Sequence, residues 1–219
     1  MSPRHALELK AILPDVDVFI MYGQTEASAR LSYLEPGELL RKAGSIGKAI
    51  PGVSLTLLGE GGRPVGVGEV GEIVARGENV SPGYWGMPAE TATILRDGGL
   101  HTGDYARADE EGFLYIVGRR TDWIKSGAHR ISAKEIEEIL LEIAQVGEAA
   151  VVGVEDAILG EAIKAYVVVK DGETLSAQTI LAYCRKNLPL FKVPKVVEFL
   201  SEIPKTDAGK PRKFAINPS

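Results

Sequence analysis

The stretch that most constrains the fold is residues 100–138, LHTGDYARADEEGFLYIVGRRTDWIKSGAHRISAKEIEE, where turns, a strand, a run of cations and a helix start follow one another directly. His101-Thr102-Gly103-Asp104 reads as a tight turn, with Gly103 supplying backbone freedom and the Asp104 carboxylate left free. Asp109-Glu110-Glu111-Gly112 is a second turn, and 113–117 is the apolar and aromatic run of a strand that Gly118 ends. Arg119, Arg120, Lys125 and Arg130 follow, broken by Gly127, before Ser132 caps a helix with Glu135 at its third position, the spacing of a capping box. Cations and one carboxylate held on turns between firm elements suit an anionic, polyhydroxylated ligand. They also suit a solvated charged connector, because most Arg and Lys side chains simply face water.

The rest of the chain divides around this stretch. Residues 3–13 carry Ala6, Leu7, Leu9, Ala11 and Ile12 among Arg4, Glu8 and Lys10, a helix ended by Pro14. Residues 16–21 are an apolar, strand-like run, and the chain turns at Gly23. The apolar faces of such a helix and strand need neighbours that the first residues do not provide, so a fragment of a larger domain is expected. From 44 to 77 the sequence is dense in Gly, with short runs at 53–58 and 69–75 separated by a hairpin-type turn at Gly59-Glu60-Gly61-Gly62. Alternation across Val70, Glu72 and Val74 argues for a half-buried strand. With 113–117 these runs predict a small, mostly antiparallel sheet or partly closed barrel over about 44–118. Residues 77–85, GENVSPGYW, form a loop whose Tyr84 and Trp85 are expected to pack onto the sheet, and 90–95 is a helical turn or two.

After Gly118 the pattern changes, and a boundary falls at 120–123. Ile136, Ile139, Leu140 and Ile143 recur at helical spacing; strands are predicted at 149–154 and 163–169, around a loop at 155–160. Ser176 caps a second helix carrying Ile180, Leu181, Cys184 and Leu188, and 195–200 is a last strand. The fold class is therefore α/β and α+β, with residues 1–119 forming an incomplete large domain and 120–219 a small α+β domain. The tail at 204–213 is charged and broken by Gly209. It reads either as a frayed basic terminus or as a mobile carrier of Lys210 that reaches negative charge in a neighbouring domain.

Charge and cysteine use narrow the function. A formal net charge of −5 speaks against a general nucleic-acid or anionic-membrane binder without excluding a local cationic pocket. Cys184 is the one cysteine and reads as a packed small hydrophobe, so an intrachain disulfide and a cysteine metal cluster are both excluded. The histidines at 5, 101 and 129 have no metal-ligand spacing. No apolar run approaches a membrane-spanning length and no signal segment opens the sequence, which predicts a cytoplasmic protein without membrane insertion. Glu26, just past a Gly turn at a strand end, suits Mg²⁺ through oxygen ligation, or equally a helix-start acid near free backbone amides.

The order Thr102-Gly103-Asp104, then Gly118-Arg119, Lys125, Arg130-Ile131 and Glu135-Ile136-Glu137, resembles the AMP-forming acyl-CoA synthetase and adenylation-domain superfamily. Tyr22-Gly23-Gln24-Thr25-Glu26 is similar to its YGxTE motif, and Pro204-Lys205-Thr206-Asp207-Ala208-Gly209-Lys210 to its PKTxxGK tail. The resemblance implies the end of a large adenylation domain followed by a mobile small domain. It also implies two half-reactions: a carboxylate attacks ATP to give an acyl-adenylate, and a thiol of coenzyme A or carrier-protein phosphopantetheine displaces AMP. By motif position, Tyr22, Gly23, Gln24 and Thr25 would lie at the nucleotide, with Tyr22 near adenine and Thr25 near phosphate; Glu26 would be associated with Mg²⁺. Asp104 would accept hydrogen bonds from the ribose hydroxyls and Arg119 would support ribose or phosphate, while Lys210 would serve adenylation, Arg130 the thiol step, and Thr121 the hinge.

Three departures accompany the resemblance. Thr121 stands where the hinge is usually Asp or Lys, and Ala128 where a loop glycine is common. The family's Gly/Ser/Thr-rich phosphate loop has no counterpart in the sequence. The partners implied are a small-molecule carboxylic acid, a carrier protein, and an N-terminal portion supplied in trans, with no nucleic acid. The alternatives are a non-catalytic module docking on an adenylating enzyme or carrier protein, and an AMP-binding regulatory domain.

Overall fold

The structure, a computed structural model, describes residues 3–119, 122–205 and 211–216. The chain divides into two compact units, Met1–Arg120 and Thr121–Ser219.

The first unit opens with helix α1 (Pro3–Ile12), of which only Ala6 is fully buried, in a cluster with Val18, Leu34, Leu39 and Phe113. Strands β1 (Ile20–Tyr22), β2 (Ser32–Leu34) and β3 (Lys48–Ala49) make a three-stranded antiparallel sheet in that order. The expected strand over 16–21 contracts to β1, because β2 offers pairing only to Ile20, Met21 and Tyr22. A second, five-stranded antiparallel sheet follows from β4 (Val53–Leu58), β5 (Val70–Gly77), β6 (Leu95–Arg96), β7 (Gly99–Ala108) and β8 (Leu114–Arg119), with helix α2 (Pro88–Ile94) leading into β6. β7 is its axis: β5 pairs along one edge, while β6 and β8 take opposite ends of the other. Gly71, Ile73, Val74 and Ala75 of β5 are buried, so the expected alternation is seen at exposed Val70 and half-buried Glu72 and ends at Val74. Two cores result, Ile46, Leu57, Ile73, Ala106 and Leu114 in one and Ala27, Leu31, Ala75 and Leu100 in the other; Tyr22 packs against both.

The second unit begins with a hairpin of β9 (Trp123–Ser126) and β10 (His129–Ser132), then helix α3 (Ala133–Leu141), β11 (Val146–Asp156), β12 (Gly160–Val169), helix α4 (Ala177–Asn187) and β13 (Val196–Phe199). The sheet order is β10-β9-β12-β11, with β13 parallel to β12. Both predicted caps form: Ser132 Oγ accepts from the Glu135 amide at 3.4 Å, and Ser176 Oγ from the Thr179 amide at 3.1 Å. The helices lay Ile136, Leu140, Ile180 and Cys184 against Val151, Ile163 and Val167 of the sheet. Cys184 is fully buried and its thiol pKa is raised by that burial, as suits a packed hydrophobe.

The residues flanking the charged tail are not frayed. Lys205 and Pro211 form a β-bridge, and the Arg212 amide donates to the Pro204 carbonyl at 2.7 Å. A short helix α5 (Lys213–Ile216) follows; Ile216 packs with Ala150, Tyr166 and Ile203, and Lys213 reaches Glu137 at 2.7 Å. Lys210 and Thr121 lie outside the described residues. Among the described residues no helix is long and apolar enough to cross a membrane.

Candidate functional site

Residues 101–104 do not make the expected turn; they lie inside the ten-residue strand β7. The reason is a bulge. Glu72 of β5 pairs with Tyr105, and two residues later Val74 pairs with His101, so Thr102, Gly103 and Asp104 lie opposite Ile73 alone. Thr102 Oγ1 ties the bulge down by donating to the Ile73 carbonyl at 2.8 Å and accepting from the Asp104 amide at 3.1 Å. Gly103 carries φ +72°, a left-handed conformation that costs glycine least.

The Asp104 carboxylate is not free either. Tyr22 donates its hydroxyl to Oδ2 at 2.8 Å and Arg119 donates Nε to Oδ1 at 2.9 Å. Asp104 is 5% exposed, whereas the Arg119 side chain is 55% exposed. Burial, then the adjacent Asp104 charge, holds the Tyr22 phenol far above its ordinary pKa. Tyr22 therefore stays a neutral donor. Two of the roughly four lone-pair sites on an ionised carboxylate are taken, which leaves acceptor capacity for a pair of ligand hydroxyls.

Tyr22 ends β1, and the chain beyond it is clamped. Gly23 admits no side chain: a Cβ there would lie 2.2 Å from the Ala29 carbonyl oxygen. Gln24 is extended, Thr25 opens a short 3-10 helix (Thr25–Ala27), and Ser28 and Ala29 both take positive φ, 51° and 67°. Two consecutive non-glycine residues in that region are strained, and such strain persists only where surroundings over-determine it. The surroundings here are the 77–85 loop. Asn79 Nδ2 donates to the Ala27 and Arg30 carbonyls at 3.0 and 2.9 Å, Ser28 Oγ donates to the Asn79 carbonyl, and the Ser81 amide donates to the Glu26 carbonyl. Tyr84 donates its hydroxyl to Glu26 Oε1 at 2.5 Å. The aromatic pair thus departs from expectation: Trp85 is 100% exposed and Tyr84 39%, and polar contacts rather than ring packing hold the loop.

Among the described residues no group of three or more His, Cys, Asp or Glu could hold a metal. Mg²⁺ does not need one, since it keeps several waters and takes one or two carboxylates beside substrate phosphates. Glu26 fits that limited part: Tyr84 occupies Oε1, and Oε2 remains to supply one hard oxygen ligand.

In the second unit Arg130 stands on β10, opposite Lys125, with its guanidinium over the Trp123 ring at 6.0 Å. The expected loop at 126–130 is the turn and opening of this hairpin. Of the sequence-predicted residues, Tyr22, Asp104 and Arg119 are joined directly by hydrogen bonds, and Gly23, Gln24, Thr25 and Glu26 continue from Tyr22 along one clamped segment. Arg130 belongs to the other unit. Sequence reasoning missed Asn79, Glu72 and the Tyr84–Glu26 contact. Only Tyr84 carried a signal, as an aromatic with a hydroxyl that seeks a partner.

Comparison with known proteins locates this arrangement. Residues 1–85 match the profile described as AMP-binding enzyme, and 135–210 match that of the AMP-binding enzyme C-terminal domain. An indoleacetate–CoA ligase of Aromatoleum aromaticum is 42% identical over 193 residues, covering 88% of this chain and 38% of that protein. A long-chain-fatty-acid–CoA ligase of Yersinia pestis is 42% identical over 189 residues, covering 86% and 33% respectively. The chain spans roughly a third to two fifths of the length of these relatives. The o-succinylbenzoate CoA synthetase of Bacillus subtilis, solved with its acyl-adenylate OSB-AMP, superposes with a TM-score of 0.91 at 30% identity, over 99% of this chain and 44% of that one.

Proposed function

The chain belongs to the AMP-forming acyl-CoA synthetase and adenylation superfamily, and we propose that it supplies the ribose-binding side and the small domain for ATP-dependent activation of a carboxylic acid and its transfer to a thiol. The observation that carries this reading is the buried Asp104 carboxylate, fixed by Tyr22 and Arg119 with acceptor sites left over. A vicinal diol such as a ribose offers two donors at the spacing a carboxylate accepts, and a site built to bond hydroxyls discriminates strongly against ligands lacking them. Because the chain spans only part of its relatives, the activity is that of a larger or split enzyme.

Each residue has a defined task. Asp104 orients the nucleotide through its sugar, and Arg119, more exposed, supports sugar or phosphate. Thr25, within the clamped segment, meets phosphate. Glu26 would supply one oxygen ligand to Mg²⁺, which when bound would supply charge neutralisation at the phosphates. In the first step a carboxylate oxygen bonds to the α-phosphorus and the bond to pyrophosphate breaks. In the second the sulfur of coenzyme A or a phosphopantetheine bonds to the acyl carbon, and AMP departs with the electrons of the acyl–oxygen bond. Such steps need positioning and charge neutralisation rather than a protein nucleophile. Lys210 acts in the first step and Arg130 in the second, with Thr121 as the hinge between them.

The test joins this chain in cis to the remainder of the Aromatoleum ligase and measures pyrophosphate exchange into ATP over indole, aryl and long-chain fatty acids. Lys210→Ala should slow exchange on the order of 100-fold or more, as for other preorganised electrostatic donors. That variant should still make thioester from preformed acyl-adenylate at a near-normal rate, and Arg130→Ala should show the opposite bias. Equal losses in both steps from both substitutions would remove the assignment.

A further inference from the structure

The bulge that aims Asp104 has a support outside the nucleotide motifs. Glu72 sits on β5 with a side chain 12% exposed. Its Oε1 accepts from the Gly103 amide at 3.2 Å, while Oε2 meets His101 Nδ1 at 2.9 Å and Arg96 at 3.4 Å. Gly71, Ile73, Val74 and Ala75 of the same strand are all buried, and Glu72 places an acid among them.

We propose that Glu72 is a positioning residue for the nucleotide site: its carboxylate holds the β7 bulge and so fixes Asp104 against Tyr22. The inference rests on Asp104 being the ribose acceptor. The physical argument starts from the ladder. Between the pairs Glu72–Tyr105 and Val74–His101 the backbone groups of residues 102–104 are out of register with β5. A partly buried amide without a partner is costly, and two of the bulge amides find side chains: Asp104 uses Thr102 Oγ1 and Gly103 uses Glu72 Oε1. Glu72 thus replaces the strand partner that the bulge removes. Buried His101 places Nδ1 2.9 Å from the second carboxylate oxygen and 2.9 Å from Arg96 Nη2, so the acid is flanked by His101 and Arg96 on one side and the Gly103 amide on the other. An ion pair with Arg96 alone would be a weaker reason for the residue, since that contact is 3.4 Å long and the Arg96 side chain is 39% exposed.

The test uses the whole chain and two readouts. Nuclear magnetic resonance follows exchange of the Gly103 amide and the ring signals of Tyr22, and calorimetry measures AMP binding. Glu72→Ala should speed Gly103 exchange and weaken AMP each by about tenfold, the loss expected for a hydrogen bond to a charged group, and should shift the Tyr22 ring signals. Glu72→Gln keeps an acceptor oxygen and should stay within about threefold of the parent in both. If Glu72→Ala fails to fold, Glu72→Asp, one methylene too short to reach Gly103, takes its place. Unchanged Gly103 exchange and Tyr22 signals in the Ala or Asp variant would overturn the inference, as would a Gln variant as damaged as Ala. An unchanged AMP affinity beside the expected spectral changes would overturn the positioning role. If the parent chain binds no AMP, the ribose reading of Asp104 falls, and whether Glu72 fixes Asp104 against Tyr22 is decided by the exchange and ring signals alone.

Discussion

The two units hold their candidate functional residues in different ways. In the first, Asp104 is buried and joined to Tyr22, 82 residues earlier, and to Arg119, 15 residues later. Its geometry exists only when two separate sheets have formed, and it is then ready before any ligand arrives. In the second, Arg130 stands on an outward position of a short hairpin and leans on Trp123, two residues along the facing strand from its partner Lys125. Long-range assembly suits a group that must hold a ligand in one orientation, because the ordering cost is met in folding rather than in binding. A locally presented cation suits a group that meets its substrate in one step only.

That contrast is sharpened first by a change remote from both sets of residues. Leu140 is fully buried in the core of the second unit, and Leu140→Ala should cost about 2–5 kcal/mol of that unit's stability in urea unfolding. AMP affinity, measured well below the transition, should stay within about twofold, as for independent sites. A large loss of AMP binding would show that the nucleotide site depends on the second unit. A smaller effect is expected from Gly23→Ala, whose Cβ would press 2.2 Å from the Ala29 carbonyl. Overpacking of this kind costs about 1–3 kcal/mol, here confined to the first unit, and it should weaken AMP while leaving urea unfolding of the second unit unchanged. Unaltered AMP binding would mean that the 22–30 segment does not position the nucleotide.

The smallest effect is on acid stability. Lys195, with the Leu159 and Ile158 amides, lowers the Asp156 pKa from 3.8 to about 2. A carboxylate whose pKa is depressed on folding adds stability above its unfolded pKa and loses it as pH falls through the folded value. The second unit should therefore weaken between about pH 4 and pH 2, and Asp156→Asn should flatten that slope in urea melts without changing AMP binding near neutrality. In the first unit Arg41 and Lys42 hold Glu111 down to about 2, so a similar acid slope is expected there. An Asp156→Asn protein with the parent's acid slope in the second unit would contradict the assignment.

What could be read from the sequence follows the range over which each feature is determined. The helix caps at Ser132 and Ser176, the burial of Cys184 and the strands beginning near Val53 and Leu114 depend on neighbouring residues and periodicity, and all were legible. The β9–β10 hairpin was not, because Ser126 and Ser132 occupy buried positions beside Ile124 and Ile131 and blur the apolar alternation. Residues 101–104 look like a turn because Gly103 and Asp104 favour one locally, but Glu72, Thr102 and pairing to β5 make the segment a bulged strand. Asn79 drew no reading for the same reason, and Trp85, expected to pack onto the sheet, is fully exposed. The clamp on Ala27 and Arg30 spans about fifty residues, and no local pattern announces it.

The central claim is that the preassembled carboxylate of the first unit receives a ribose. The most direct measurement is calorimetric titration of the whole chain and of Asp104→Asn with AMP and with 2′,3′-dideoxy-AMP. The parent should prefer AMP by on the order of 100-fold, because the analogue leaves a buried acceptor unpaired, and Asp104→Asn should lose most of that preference. Equal binding of the two nucleotides by the parent, or a preference that survives Asp104→Asn, would contradict the account.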